Sequence, residues 1–288
     1  MQETKPRRGV IACKTNDTPH LHCTKRSAVQ VSGLNFSQPK SYNHLTPNGV
    51  IVLLNKFQIG LRMNRPYTFI NVAMTADGKI DTFERKGSAI SSKRDKERVD
   101  QLRAAADGIL VGGKTLLDEQ PKLTVKSEAL REGRILRGVS PNPVKVGVAT
   151  VADISPESDF IKAGPARVVI FTTFQTSIKQ LESLRALGVE VFVDESPRVD
   201  LNKMMRTLKE IGVNKLMVEG GGTMNFELMR LGLVDELTMY VAPMIFGGAS
   251  APTLADGVGV PRDAALAMKL IDVEKWEDGG VFLRYKII

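Results

Sequence analysis

From residue 63 onward, short runs of β-branched and other apolar residues alternate with segments of helical periodicity, and this alternation is what most restricts the fold. "YTFINVAM" (67–74) reads as a strand, "SKRDKERVDQLRAAA" (92–106) as a helix and "GILVG" (108–112) as a buried strand. Further strand candidates are "VKVGVAT" (144–150), "ARVVIFTT" (166–173), "VEVFVD" (189–194) and "NKLMVEG" (214–220). Between them lie two helical patterns, "SIKQLESLRALG" (177–188), closed by Gly188, and "DLNKMMRTLKEIG" (200–212), opened by Asp200 and closed by Gly212. The last part changes character. Residues 235–248 and 268–288 read as strands, the latter a hairpin around Asp278, Gly279 and Gly280. No repeat or low-complexity linker interrupts 63–288, so the expectation is one α/β domain whose mostly parallel sheet finishes on antiparallel strands.

The formal net charge of +8 suggests nucleic acid until it is divided along the chain. Residues 1–62 hold nine Lys or Arg against Glu3 and Asp17, so all but one unit of the excess lies there. The remainder is almost neutral, which argues against a phosphate-tracking basic surface and against a nucleic-acid partner. The first 62 residues are poor in acid and lack periodicity apart from "VIVLL" (50–54), far short of the roughly 20 residues that cross a bilayer. Nor does an apolar stretch of about 7 to 15 residues follow the basic start, as a cleaved signal peptide needs. An organellar transit peptide fits the composition; so does a start codon misplaced upstream of a true first residue at Met63, the reading favoured here. Either way, residues 1–62 are expected to be a disordered extension and 63–288 the catalytic domain.

Both cysteines (Cys13, Cys23) and all three histidines (His20, His22, His44) precede Met63. Whatever follows must therefore work without a Cys or His nucleophile, a Ser-His-Asp triad or a His/Cys zinc site. If the domain is an enzyme, a cofactor or a set of lysines and carboxylates supplies its chemistry. In "CKTNDTPHLHC" (13–23), adjacent His22 and Cys23 would strain a shared tetrahedral ion, so no metal site is expected.

Two glycine-rich segments remain. "GILVGGKT" (108–115) matches the phosphate-loop pattern G-x-x-x-x-G-K-[ST], but such a loop follows a strand, whereas Ile109, Leu110 and Val111 belong inside one. Gly112, Gly113 and Thr115 are better read as a strand-to-helix turn. "VEGGGTMNFELM" (218–229) has the context that the first segment lacks: a strand, three glycines, and a helix expected over 224–232 with Thr223 near its N-terminus. Free amides and the positive end of the helix dipole would face a ligand there, and a phosphate suits them.

"MTADGKI" (74–80), "LRAAADGILVGGKTLLDEQPKLTV" (102–125) and "VEGGGTMNFELMRLGLVDELTMYVAPMIFGG" (218–248), in this order and at these separations, resemble the riboflavin-biosynthesis reductase family. The resemblance covers nearly all of 63–288. It implies a dihydrofolate-reductase-like fold, NADPH as cofactor, a homodimer, a cytoplasmic setting, and hydride transfer to C1′ of a phosphorylated ribosylamino-pyrimidine. Without the H-x-E and P-C-x-x-C motifs of the deaminase found in two-domain relatives, it implies a reductase alone, acting on the diamino form of the pyrimidine. Reduction of the deaminated pyrimidine or of a pteridine stays open, because fold analogy does not fix substrate.

Carried over residue by residue, the resemblance implies that Ser91, Thr115, Glu119, Gly220, Gly221, Gly222 and Thr223 contact the cofactor. Glu119 stands where the family often has aspartate. Arg103, Leu123, Lys126 and Glu219 are implied substrate contacts, the first three at the ribose-phosphate end, with Lys126 replacing the arginine of many relatives. Asp77, with Asn71 and Thr75, is expected to line the site. No metal is implied, and no catalytic side chain is assigned.

Overall fold

The computed structural model describes residues 64–288. Its strands are β1 (Tyr67–Thr75), β2 (Gly108–Gly112), β3 (Val144–Val148), β4 (Val168–Thr173), β5 (Glu190–Asp194), β6 (Lys215–Val218), β7 (Glu236–Ala242), β8 (Met268–Lys275) and β9 (Val281–Ile287). They form a single sheet in the order β5-β4-β3-β2-β6-β1-β7-β9-β8, parallel throughout except where β9 runs antiparallel to β7 and β8. The expected α/β sheet with an antiparallel finish is therefore the observed one. Its helices are α1 (Lys93–Ala105), α2 (Glu128–Leu136), α3 (Asp159–Lys162), α4 (Ile178–Ala186), α5 (Leu201–Glu210) and α6 (Gly222–Arg230).

Alternation along each strand sends side chains to opposite faces, which divides the core in two. Leu110, Val169, Phe171, Leu216 and Val218 join Met204, Met205 and Leu208 of α5 and Leu228 and Met229 of α6 on one face. On the other, Ile109, Val111, Ile170 and Met217 pack with Leu116, Leu123, Phe160 of α3 and Leu184 of α4, and Val99 and Leu102 of α1 lie against them. Ile109, Leu110 and Val111 are fully buried, which is incompatible with a phosphate loop over 108–115. Each buried aliphatic side chain contributes about 1.5–3 kcal/mol.

Helix α1 is short of apolar residues and docks by other means. Ser92 caps it, accepting from the Asp95 amide, and the buried Asp95 carboxylate takes Nε and Nη2 of Arg98 at 3.0 and 2.7 Å. Arg94 stacks over Trp276 at 4.3 Å and Arg98 over Phe282 at 4.7 Å. Trp276 itself lies between Tyr240 and Phe282, at centroid distances of 5.2 and 5.8 Å. Such cation–aromatic contacts contribute about 0.5–2 kcal/mol each and fix the start of α1 to the carboxyl end of β7.

Two local differences from the sequence reading have simple causes. The strand expected over 235–248 stops at Ala242, because Pro243 has no N–H to continue the ladder. Helices α2 and α3 arise in segments assigned no element, opened by Ser127 and Ser158, whose hydroxyls accept from the Leu130 and Ile161 amides. Residues 1–62 and Met63 lie outside the described residues, as do the readings made for them.

Candidate active site

The strand order places the site. From β2 the chain steps outward through β3, β4 and β5, then returns to lay β6 between β2 and β1. Where the winding reverses, the carboxyl ends of neighbouring strands leave a crevice, the usual ligand position in open α/β sheets. The segments singled out by sequence all meet there: 75–79 after β1, 112–115 after β2 and 219–223 after β6.

At the end of β6 the ladder continues briefly, with the Glu219 amide donating to Leu110 O at 3.0 Å and the Gly112 amide to Gly220 O at 2.9 Å. This fixes Glu219 beside the last turn of α1. Its carboxylate receives Nε and Nη2 of Arg103, each at 2.7 Å, while Arg103 Nη1 donates to Thr124 O at 3.1 Å. Both side chains are mostly buried, and the attraction of Glu219 raises the Arg103 pKa against the opposing effect of burial. Arg103 and Glu219, both expected to meet substrate, thus hold each other.

The three glycines are required for different reasons. Gly220 has φ +103°, a conformation that side chains rarely adopt, and the Gly220–Gly221 peptide is cis. A Cβ on Gly221 would lie 3.1 Å from the Thr115 hydroxyl. One on Gly222 would lie 2.4 Å from Thr253 O and 2.7 Å from Asp256 Oδ2, so that space is taken by the chain itself. Gly221 caps α6 without a side-chain hydrogen bond, and Thr223 is exposed in the helix's first turn.

After β2, Gly113 adopts φ +47° with nothing near its missing Cβ, and Thr115–Glu119 form a π-helical turn rather than the start of a longer helix. The Glu119 carboxyl is raised above the usual range by lost hydration and by the charges of Asp81 and Asp118, against the lowering effect of the Thr115 hydroxyl. The extended stretch beyond carries Gln120 and Leu123 at φ +47°. Leu123 is buried in the core.

Asp77 is engaged by the protein. It accepts from the Thr75 hydroxyl at 2.5 Å and from the Gly247 and Phe246 amides at 2.7 and 3.2 Å, which hold it below the usual carboxylate range. Thr75 also accepts from the Lys79 amide, and Asn71 accepts from Thr238. Thr75 and Asp77 thus shape the loop after β1, whereas Asn71 ties β1 to β7.

Against α1 lies a cavity of about 230 Å³ lined by Ser88, Ser91, Lys96, Asp100, Arg103 and Lys126, among others. Sequence reading missed Lys96 and Asp100. The one available signal was helical spacing, which puts Lys96, Val99 and Asp100 on the same face of α1 as Arg103. Asp100 is buried and accepts from the amides of Lys126 and Ser127 at 2.6 and 2.8 Å, steadying the start of α2. Among the described residues, no group of three His, Cys, Asp or Glu is placed to hold a metal ion. Nor is any helix there long and apolar enough to cross a membrane.

The crevice sets a glycine turn beside a cation-lined cavity, and residues 66–282 match one family in particular. The chain belongs to the RibD C-terminal domain family. It is 40% identical over 193 residues to the 2,5-diamino-6-ribosylamino-4(3H)-pyrimidinone 5′-phosphate reductase of Archaeoglobus fulgidus, covering 67% of this chain and 87% of that one. The enzyme of the same name from Methanothermobacter thermautotrophicus is 39% identical over 200 residues, covering 69% and 88%. In fold, the chain is similar to a pyrimidine reductase-like protein from Corynebacterium diphtheriae, with a TM-score of 0.67, 22% identity, and coverage of 78% and 93%. It is an oxidoreductase of riboflavin biosynthesis, and a reductase of this family calls for a nicotinamide cofactor.

Proposed function

We propose that this chain reduces the ribosyl side chain of 2,5-diamino-6-ribosylamino-4(3H)-pyrimidinone 5′-phosphate to the ribitylamino side chain, using NADPH. The observation that carries this reading is the Arg103–Glu219 pair, which ties the glycine turn at the end of β6 to a cavity walled by cations.

The turn fits a cofactor phosphate. Because Gly221 brings no capping oxygen, the first amides of α6 are left without a side-chain partner at the positive end of the helix dipole. Gly220, Gly221, Gly222 and Thr223 would hold that end, Thr115 and Ser91 would border it, and Glu119 would accept from a ribose hydroxyl. When bound, NADPH supplies hydride to C1′ of the opened sugar, and the adjoining nitrogen gains a proton. The protein's part is placement: holding both molecules in one crevice replaces an encounter in solution by a single bound geometry. Arg103 and Lys126 would meet the anionic end of the substrate, Glu219 its amino or hydroxyl groups, and Leu123 would contribute backbone contacts. Asp77 acts through the loop it staples.

The test is steady-state NADPH oxidation by the full chain, offered separately the diamino compound, its deaminated analogue and dihydrofolate. Preference for the diamino compound with a ribityl product is expected. Preference for the deaminated compound would change the substrate, and turnover of dihydrofolate alone, or none at all, would refute the reading.

The same reading makes the chain a cytoplasmic homodimer. Among the described residues, β8 ends the sheet with an unpaired edge, and its Met268, Leu270, Ile271 and Val273 are between 43% and 56% exposed. A second copy is the partner that buries an edge this apolar. Sedimentation of the full chain should give the dimer mass, and a monomer across the concentration range would remove this part of the proposal.

A further inference from the structure

We infer that Lys96, to which no role has been assigned above, is a binding residue for the substrate's phosphate, and that the phosphate lies toward the Lys96 end of the α1 cavity. The inference rests on the reductase reading and deepens it.

Helical spacing aligns Lys96, Val99, Asp100 and Arg103 on one face of α1, and all four line the cavity. Seven residues at about 1.5 Å rise put Lys96 roughly 10 Å from Arg103 along the helix axis. At the Arg103 end the guanidinium is already held by Glu219, so the cations left open to an anion in this cavity lie toward Lys96 and Lys126.

The charges agree with that direction. A phosphate monoester carries about −1.5 to −2 at neutral pH. Of the three cations in the wall, Arg103 is already matched by Glu219, and among the described residues neither Lys96 nor Lys126 forms an ion pair. Asp100, the one carboxylate in the wall, has both oxygens bonded to backbone amides. Two lysines are therefore left to meet two negative charges. Arg103 spends three of its five N–H groups on Glu219 and Thr124, so two remain to reach the sugar-phosphate without breaking the Glu219 pair.

Lys96 is exposed, so Lys96→Met is expected to leave the fold intact, checked by the thermal midpoint. With the full chain, Lys96→Met should raise KM for the phosphorylated substrate about tenfold, or about 1.4 kcal/mol, while kcat stays within about twofold. The dephosphorylated analogue should show the same KM with either protein, and Lys96→Arg should recover most of the loss. Inorganic phosphate should inhibit competitively against the pyrimidine, and its Ki should weaken in Lys96→Met by a similar factor. Equal losses on the phosphorylated and dephosphorylated compounds, or no loss on either, would overturn the inference while leaving the reductase reading in place. Should the wild-type chain turn over neither pyrimidine, the reading fails. Calorimetric titration with inorganic phosphate then decides for Lys96: weaker binding in Lys96→Met supports it, and unchanged binding overturns it.

Discussion

The ends of β2 and β6 look alike in sequence, each a strand followed by glycines and a threonine, and they lie side by side in the sheet. They are built on opposite terms. After β6, each glycine is hemmed in, by backbone conformation at Gly220, by Thr115 at Gly221 and by the 253–256 loop at Gly222. After β2, Gly112 is crowded by Met224, but Gly113 faces open space and its segment closes into a π-helical turn. A run of glycines therefore does not by itself mark a ligand. The end of β6 is fixed by contacts on several sides, as a site requiring accurate placement needs, whereas the end of β2 keeps room to adapt.

If the β6 end is the determined one, its substitutions should cost most. Glu219→Gln removes the charge that holds Arg103, and breaking such a pair costs roughly 3–5 kcal/mol when it is well buried. Since some exposure remains here, a fall in kcat/KM of about 100-fold is expected in the NADPH oxidation assay. A change below about threefold would mean that the pair is incidental.

Gly222→Ala should come next. Its Cβ would meet a backbone oxygen, which must move, and overpacking of this kind costs about 1–3 kcal/mol. A lower thermal midpoint should accompany weaker NADPH binding; an unchanged midpoint would show that the 253–256 loop yields freely.

The β2 end should respond more to pH than to bulk. The raised Glu119 carboxyl binds a proton more readily in the folded chain than in the unfolded one, so its contribution to stability falls as pH rises through the range above the ordinary glutamate value. Thermal midpoints of Glu119→Gln and the wild type should converge in mild acid and separate toward neutrality, with the variant the higher. Parallel profiles would remove the effect.

Smallest of all, Gly113→Asn is expected to change stability by no more than about 1 kcal/mol, because asparagine tolerates the left-handed conformation and meets nothing there. A large loss would erase the contrast between the two ends.

Much of this arrangement was legible in advance. Strand alternation with turn glycines located the first six strands and the final hairpin to within a few residues, because burial on both faces leaves long apolar runs. Arg103 and Glu219 could be named, but not their partnership, since residues 116 positions apart show no local sign of contact. Lys145 illustrates the same limit. It sits fully buried in β3 and donates to the carbonyls of Phe160 and Ala163 at the end of α3, and burial pushes its pKa down to about 8. A strand pattern gives no hint that a lysine will cap a helix from beneath.

The chain's single tryptophan lies in the aromatic stack under α1, 3% exposed and with Arg94 over its ring. Indole emission is sensitive to polarity and to nearby charge, so one chromophore reports on one place: the seat of the helix that carries Lys96 and Arg103. Any ligand that lifts or tightens that helix should shift the spectrum, and a ligand confined to the glycine turn should leave the peak where it was. The fold thus contains its own optical gauge, able to separate occupancy of the two halves of the crevice without a label.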